Sequence, residues 1–166
     1  MKWFWLSAVI VVLDQVSKQV AVNELGLHQP VQIAPLINFT LTYNSGAAFS
    51  FLSDAGGWQR WLFVGLSSAV SIGLVVWLVR TPVEKRWLPT SLALILGGAL
   101  GNLTDRVFRD HVVDFFDVGP FWIFNVADAS ISIGLTVLAV SVLLLDKGTP
   151  SAEPDDAEAP HDNQTS

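Results

Sequence analysis

The sequence contains no cysteine. Disulfides, a thiol nucleophile and thiolate metal sites are therefore excluded. Charge is scarce as well: Asp, Glu, Lys and Arg make up 14% of the 166 residues, where a soluble domain carries about 25%. The formal net charge of −6 overstates the acidity, because Glu153, Asp155, Asp156, Glu158 and Asp162 all lie in the last stretch. Without them acidic and basic residues nearly balance, and nothing points to nucleic-acid binding. No internal repeat is evident. What fills the space is apolar: 51% of the residues are hydrophobic and arranged in long runs. That composition predicts a polytopic membrane protein folded as one bundle.

The first run, from 1 to about 22, opens with Lys2, Trp3, Phe4 and Trp5 and stays apolar to Leu13. A cleaved signal peptide begins this way, but no small-residue cleavage site follows. Asp14 and Lys18 come instead, four apart and so on one helix face, where they can pair. A retained membrane helix fits better. The pair reads either as an ion pair at a helix end or as a support for a reaction centre. A second span is expected at 58–79, bracketed by Trp58 and Trp61 against Trp77, the aromatic-belt pattern. A third runs from 87 to about 102, with Gly97, Gly98 and Gly101 near its far end, where small residues allow close helix packing. A fourth covers about 121–145. Four spans put both termini on one side, and Lys2, Lys147 and the basic residues of 80–86 mark it as cytoplasmic. Residues 1–147 then form the membrane domain. Residues 148–166, rich in Pro, Ala, Ser and acid, form a disordered cytoplasmic tail.

Residues 23–57 differ. Val31, Ile33, Ile37, Phe39, Leu41 and Tyr43 alternate with Gln32, Asn38, Thr40, Thr42 and Asn44. Period two predicts a half-buried hairpin, and Pro30 and Pro35 suit an edge strand. An open sheet edge cannot face hydrocarbon, so this segment is placed at the membrane surface or against the bundle, on the outer side. Residues 48–54 are expected to form a short interfacial helix. The fold class is thus an all-α, four-helix membrane bundle with a small extracytoplasmic β-rich segment.

The stretch 97–130 is flanked by apolar sequence yet holds Asn102, Asp105, Arg106, Asp114, Asn125 and Asp128. Polar groups at membrane depth are expensive and usually functional. On helices, Asn102, Asp105 and Arg106 share one face, and so do Asn125, Asp128 and Ser132. Asp114 and Asp128 sit in similar contexts, VVDF and NVAD. Two neighbouring carboxylates share a proton; the ionised one takes a proton from water while the other polarises a carbonyl, as in aspartic proteases. Such a pair, brought together from separate helices, needs no metal and no cofactor. A Ser17–Lys18 dyad is disfavoured because adjacent helix residues point apart. His111 reads as a loop histidine before it reads as a helper. Two rival readings are a proton-coupled carrier relaying protons through embedded carboxylates and a scaffold using polar groups only for packing.

Five pieces stand in order: Asp14-Gln15-Val16-Ser17-Lys18; Tyr43-Asn44-Ser45-Gly46-Ala47-Ala48-Phe49-Ser50; Gly97-Gly98-Ala99-Leu100-Gly101-Asn102-Leu103-Thr104-Asp105-Arg106; Val112-Val113-Asp114-Phe115; and Phe124-Asn125-Val126-Ala127-Asp128. Together, over about 13–145, they resemble bacterial lipoprotein signal peptidase, or signal peptidase II. The resemblance implies a four-helix inner-membrane aspartyl endopeptidase, and the chain is expected to be monomeric. Its substrate is a diacylglyceryl-modified prolipoprotein, cut just before the lipid-bearing cysteine, and its inhibitor is the cyclic peptide globomycin. The family's catalytic dyad falls on Asp114 and Asp128. Its pocket and supporting positions fall on Asp14, Lys18, Asn44, Gly46, Asn102, Asp105, Arg106, Asn125 and Ala127. Thr104 stands where the family's pattern has a larger apolar residue.

Overall fold

The computed structural model describes residues 2–45, 58–82, 86–120 and 122–145. Among them, four long helices and four strands run in the order α1 (Lys2–Glu24), β1 (Val31–Ala34), β2 (Ile37–Asn44), α2 (Trp58–Arg80), α3 (Trp87–Phe108), β3 (Val112–Val118), β4 (Trp122–Phe124) and α4 (Val126–Val140), with a π-helical turn at Ser141–Leu145. Gly46, the expected helix at 48–54 and the acidic tail lie outside the described residues.

α3 is the centre of the bundle and packs against α1, α2 and α4. It buries residues around most of its circumference, from Pro89 to Asp105. Leu74 and Leu78 of α2 meet Leu92, Ala93, Ile95 and Leu96 of α3 in the main apolar core. Elsewhere the outer helices expose large apolar side chains, among them Leu66, Ile72 and Val79 of α2 and Ile133 and Leu135 of α4. Such faces belong in lipid. Among the described residues, three helical segments, Lys2–Glu24, Arg60–Arg80 and Val126–Leu143, are long and apolar enough to cross a membrane.

Glycine allows the tightest approach, between α3 and α4. A Cβ on Gly98 would collide with the Ala127 carbonyl, and one on Gly134 would stand 2.9 Å from the Ser91 carbonyl. Hydrogen bonds from Ser7 to the Ala93 carbonyl and from Ser130 to the Leu94 carbonyl, each 2.8 Å, tie α1 and α4 to α3.

The strands form one antiparallel sheet in the order β1-β2-β3-β4. It reaches beyond the expected β-rich segment, because Val112–Val118 pairs with the hairpin and Trp122–Phe124 pairs in turn with Val118–Phe116. The hairpin turns at Pro35 and Leu36, the latter left-handed at φ 65°. The expected alternation gives no clean buried face. Thr40 and Leu41 are both buried, while Ile37 and Tyr43 are exposed. The register between β2 and β3 shifts between Phe39 and Thr42, and an irregularity of this kind breaks the period of two. Leu41, Val113 and Phe115 pack on Ala21, anchoring the sheet to the end of α1.

Two helix limits differ from expectation. α3 continues to Phe108 instead of stopping near 102, so Asp105 and Arg106 stay on the helix. Residues 122–124 are a strand, and α4 starts only at Val126, behind the N-cap Asn125.

Candidate active site

Asp114 sits on β3, so the two acids do not come from separate helices as expected. The pairing Thr42↔Asp114 places it across from the hairpin. One carboxylate oxygen, Oδ2, accepts from Asn44 Nδ2 at 3.2 Å; the other, Oδ1, accepts from Asn125 Nδ2 at 2.6 Å. Asp128 occupies the first turn of α4 in a capping box. Its backbone N–H donates to Asn125 Oδ1 at 2.9 Å, and its Oδ2 accepts from the Asn125 N–H at 3.4 Å. Its Oδ1 accepts from Asn102 Nδ2 at 2.7 Å. A single residue, Asn125, therefore holds both carboxylates, which are close enough for their charges to interact.

Burial, followed by the Asp128 charge, pushes the Asp114 carboxyl up to about 7, against the lowering effect of the Asn44 and Asn125 donors and of Lys18. At neutral pH Asp114 is therefore about half protonated.

Beneath the pair lies a buried ionic cluster. Lys18 Nζ stands 2.8 Å from both Asp14 Oδ2 and Asp105 Oδ2, with all three side chains fully buried. Buried ions are tolerated only when their remaining hydrogen-bonding positions are filled, and here they are. Asp14 Oδ1 accepts the Ala127 N–H at 2.9 Å, and Asp105 Oδ2 accepts the Val113 N–H at 3.1 Å. Arg109 donates to Asp105 Oδ1, and Gln15 Nε2 bridges Asp14 and Asp105, all at 3.1 Å. The cluster pins the first turn of α4, through Ala127, and the start of β3, through Val113. These are the two elements that carry Asp128 and Asp114. Gly101 leaves room for it: a Cβ there would stand 2.6 Å from Asp14 Oδ2.

Lys18 also donates to Asn102 Oδ1 at 3.0 Å. An ammonium only donates, so it fixes the Asn102 oxygen toward itself and the amide nitrogen toward Asp128. Arg106 completes the surroundings. Its charge bears on Asp128 and Asp114, and its guanidinium lies 5.4 Å from the Phe63 ring centre.

The fold therefore gathers Asp14, Lys18, Asn44, Asn102, Asp105, Arg106, Asp114, Asn125, Ala127 and Asp128 at one end of the bundle. Ser132 is not gathered; it is exposed on α4, because Asn125 is a cap and not a helical residue sharing its face. His111 stacks on Tyr43, ring centres 4.2 Å apart, and burial holds its imidazole below the usual range. The Ser17 hydroxyl donates to the Asp14 carbonyl. Sequence reasoning passed over Gln15 and Arg109. Gln15 stands inside the first motif, and Arg109 lies four residues after Asp105, one turn on, so both were within reach of a helical reading.

A family model described as Signal peptidase (SPase) II matches residues 6–144. The chain is similar to proteins named lipoprotein signal peptidase. That of Acinetobacter baumannii is 48% identical over 152 residues, spanning 89% of this chain and 86% of the relative. That of Pseudomonas aeruginosa is 47% identical over 156 residues, spanning 90% and 92%. Among solved structures, a bacterial membrane enzyme determined by the in meso method at 2.3 Å resolution superposes with a TM-score of 0.77. It is 28% identical and covers 96% of this chain and 94% of its own.

Proposed function

The chain belongs to the signal peptidase II family, and on that premise we propose that Asp114 and Asp128 are the acids with which it hydrolyses its substrate. Membership makes it a membrane protease that removes signal peptides from prolipoproteins. The finer reading is an aspartyl mechanism that cuts a diacylglyceryl-modified precursor just before the lipidated cysteine. The single observation that carries it is the bridging of both carboxylates by Asn125, whose Nδ2 donates to Asp114 and whose backbone N–H donates to Asp128.

The two acids divide the work by their surroundings. Asp114 is the more buried and is pushed up to about 7, so it keeps the shared proton and donates it toward the scissile carbonyl. Asp128, half-buried in the first turn of a helix, is the ionised partner and takes a proton from the attacking water. As the tetrahedral intermediate collapses, a proton passes to the leaving nitrogen. Asn44 and Arg106 border the pair and are assigned to the peptide backbone and the carbonyls of the lipid. Asp14, Lys18, Asn102, Asp105, Asn125 and Ala127 hold the pair in place. Gly46 is assigned to the pocket from its motif alone.

We place α3 across the membrane as a fourth span, its polar end and the sheet at the outer leaflet and both termini in the cytoplasm. In that placement the substrate, itself a lipid-bearing membrane peptide, reaches the site from the bilayer. A globomycin-type cyclic peptide would occupy the same pocket. The site's position at one end of the bundle favours a peptidase over a carrier, whose relay must traverse the membrane. The test is cleavage of a diacylglyceryl precursor in detergent by the wild type and by Asp114→Asn and Asp128→Asn. Each variant is expected to lose turnover by roughly 10²-fold or more while eluting as a folded protein. Full activity in either variant overturns the mechanism, and Asp128-dependent proton flux in liposomes without cleavage would favour the carrier.

A further inference from the structure

Arg60, in the first turn of α2, reaches across to the last turn of α3. Its Nε donates to the Arg106 carbonyl at 2.9 Å and its Nη2 to the Val107 carbonyl at 2.8 Å. Its Nη1 pairs with Asp110. A helix leaves its last four carbonyls without partners. Here the Asp105 carbonyl is met by the Arg109 N–H, and the next two are met by one guanidinium from another helix. A cation at that place also suits the negative end of the helix dipole. One turn further along α2, the ring of Phe63 lies under the Arg106 guanidinium, an attractive cation–π contact. The start of α2 therefore grips Arg106 twice, by its backbone and by its charged head.

We propose that Arg60 and Phe63 are positioning residues that aim the Arg106 guanidinium at the Asp114–Asp128 pair. The inference rests on the proposed reaction and deepens it. The groups that face the pair are Lys18 from α1, Asn44 from β2, Asn102 and Arg106 from α3, and Asn125 at the α4 cap. Of the two cations, Lys18 is locked in its buried cluster. Arg106 Nη1 donates to the Asn102 carbonyl at 3.4 Å, which turns its head back toward the residue that binds Asp128, and the start of α2 holds it there. A nearby positive charge favours ionised carboxylates. Loosening Arg106 therefore makes Asp114 harder to ionise, and the alkaline limb of the pH profile moves to higher pH.

The experiment uses the full chain in detergent, with a diacylglyceryl precursor as probe. It compares the wild type, Arg60→Gln, Phe63→Leu, the conservative Phe63→Tyr, and each of the first two combined with Arg106→Gln. Arg60→Gln and Phe63→Leu are expected to lower kcat by roughly tenfold, to shift the alkaline pH limb upward, and to add no further loss once Arg106 is Gln. Phe63→Tyr, which keeps an aromatic face, is expected to stay within twofold. Losses that add to that of Arg106→Gln, or that leave the pH profile in place, would mean a merely structural role and overturn the proposal. An infrared titration of the carboxyl stretch in the same variants gives a second readout without turnover. An upward shift there in a chain that cuts no precursor would keep the positioning role and remove the peptidase mechanism. No shift would remove the positioning role whatever the activity.

Discussion

Lys18 sets which way Asn102 faces, together with the Asn125 amide, which donates to the same oxygen at 3.2 Å. The ammonium meets Asn102 Oδ1 at 3.0 Å, so the amide nitrogen must turn to Asp128, 2.7 Å away. A residue on α1 thus orients a carboxylate on α4 through a side chain on α3. Asn102→Asp keeps the size but replaces a donor with a third carboxylate beside the pair. Turnover of a lipidated precursor is expected to fall by roughly 10²-fold or more, with the variant still folded by size-exclusion chromatography. Activity within a few fold of wild type would show that Asp128 does not need this donor.

The cluster under the site makes a separate prediction about stability. Lys18→Met strands Asp14 and Asp105 as facing buried carboxylates. Breaking a buried pair from one side costs about 3–5 kcal/mol, so the variant should melt far below wild type in a thermal scan in detergent. Val20, exposed on the same helix, is the control: Val20→Ala should change the melting temperature little. Equal melting of Lys18→Met and wild type would show that the cluster is dispensable.

Asp114 links stability to pH with a definite sign. Its carboxyl is raised from 3.8 to about 7. Between those values the folded chain keeps a proton that the unfolded chain has released. Its contribution is fully present below 3.8 and is lost as pH rises through about 7. The melting temperature should therefore fall from about pH 4 to about pH 7, and Asp114→Asn should flatten that fall. In the cleavage assay the same group sets the alkaline limb near 7. A wild type and an Asp114→Asn variant with identical pH–melting curves would contradict this.

Gly98 offers a test of how closely α4 must lie. A Cβ there meets the Ala127 carbonyl, next to Asp128 in the same turn. Gly98→Ala should push α4 outward, lowering stability by about 1–3 kcal/mol and reducing turnover more than stability alone explains. At Gly65 on α2 nothing lies within 4 Å of an added Cβ, so Gly65→Ala should be neutral or slightly stabilising. If the two substitutions behave alike in melting and turnover, close approach at Gly98 is not required.

The long apolar runs were legible because length and hydrophobicity are properties of a contiguous segment. They located the four long helices, and the cost of polar groups among them singled out the residues now seen together. The hairpin was legible from its alternation. The strand carrying Asp114 was not, because Val112, Val113, Asp114 and Phe115 are all buried, and burial on both faces erases the period of two. The start of α4 was obscured likewise, since Trp122–Phe124 reads as part of one apolar run with the helix behind it.

By itself, the order of residues determined that this chain seeks a membrane and that carboxylates, amides and cations must be hidden inside it. Whether Asp14 and Lys18 form a surface pair or a buried one depends on what packs over them. That question was decided only when α3 brought Asp105 and Asn102 against α1. The same holds for the two acids: they are fourteen positions apart by number, on a strand and a helix, and only the shared hold of Asn125 makes them one site. Such contacts depend on distances between elements, which no local pattern in the chain records.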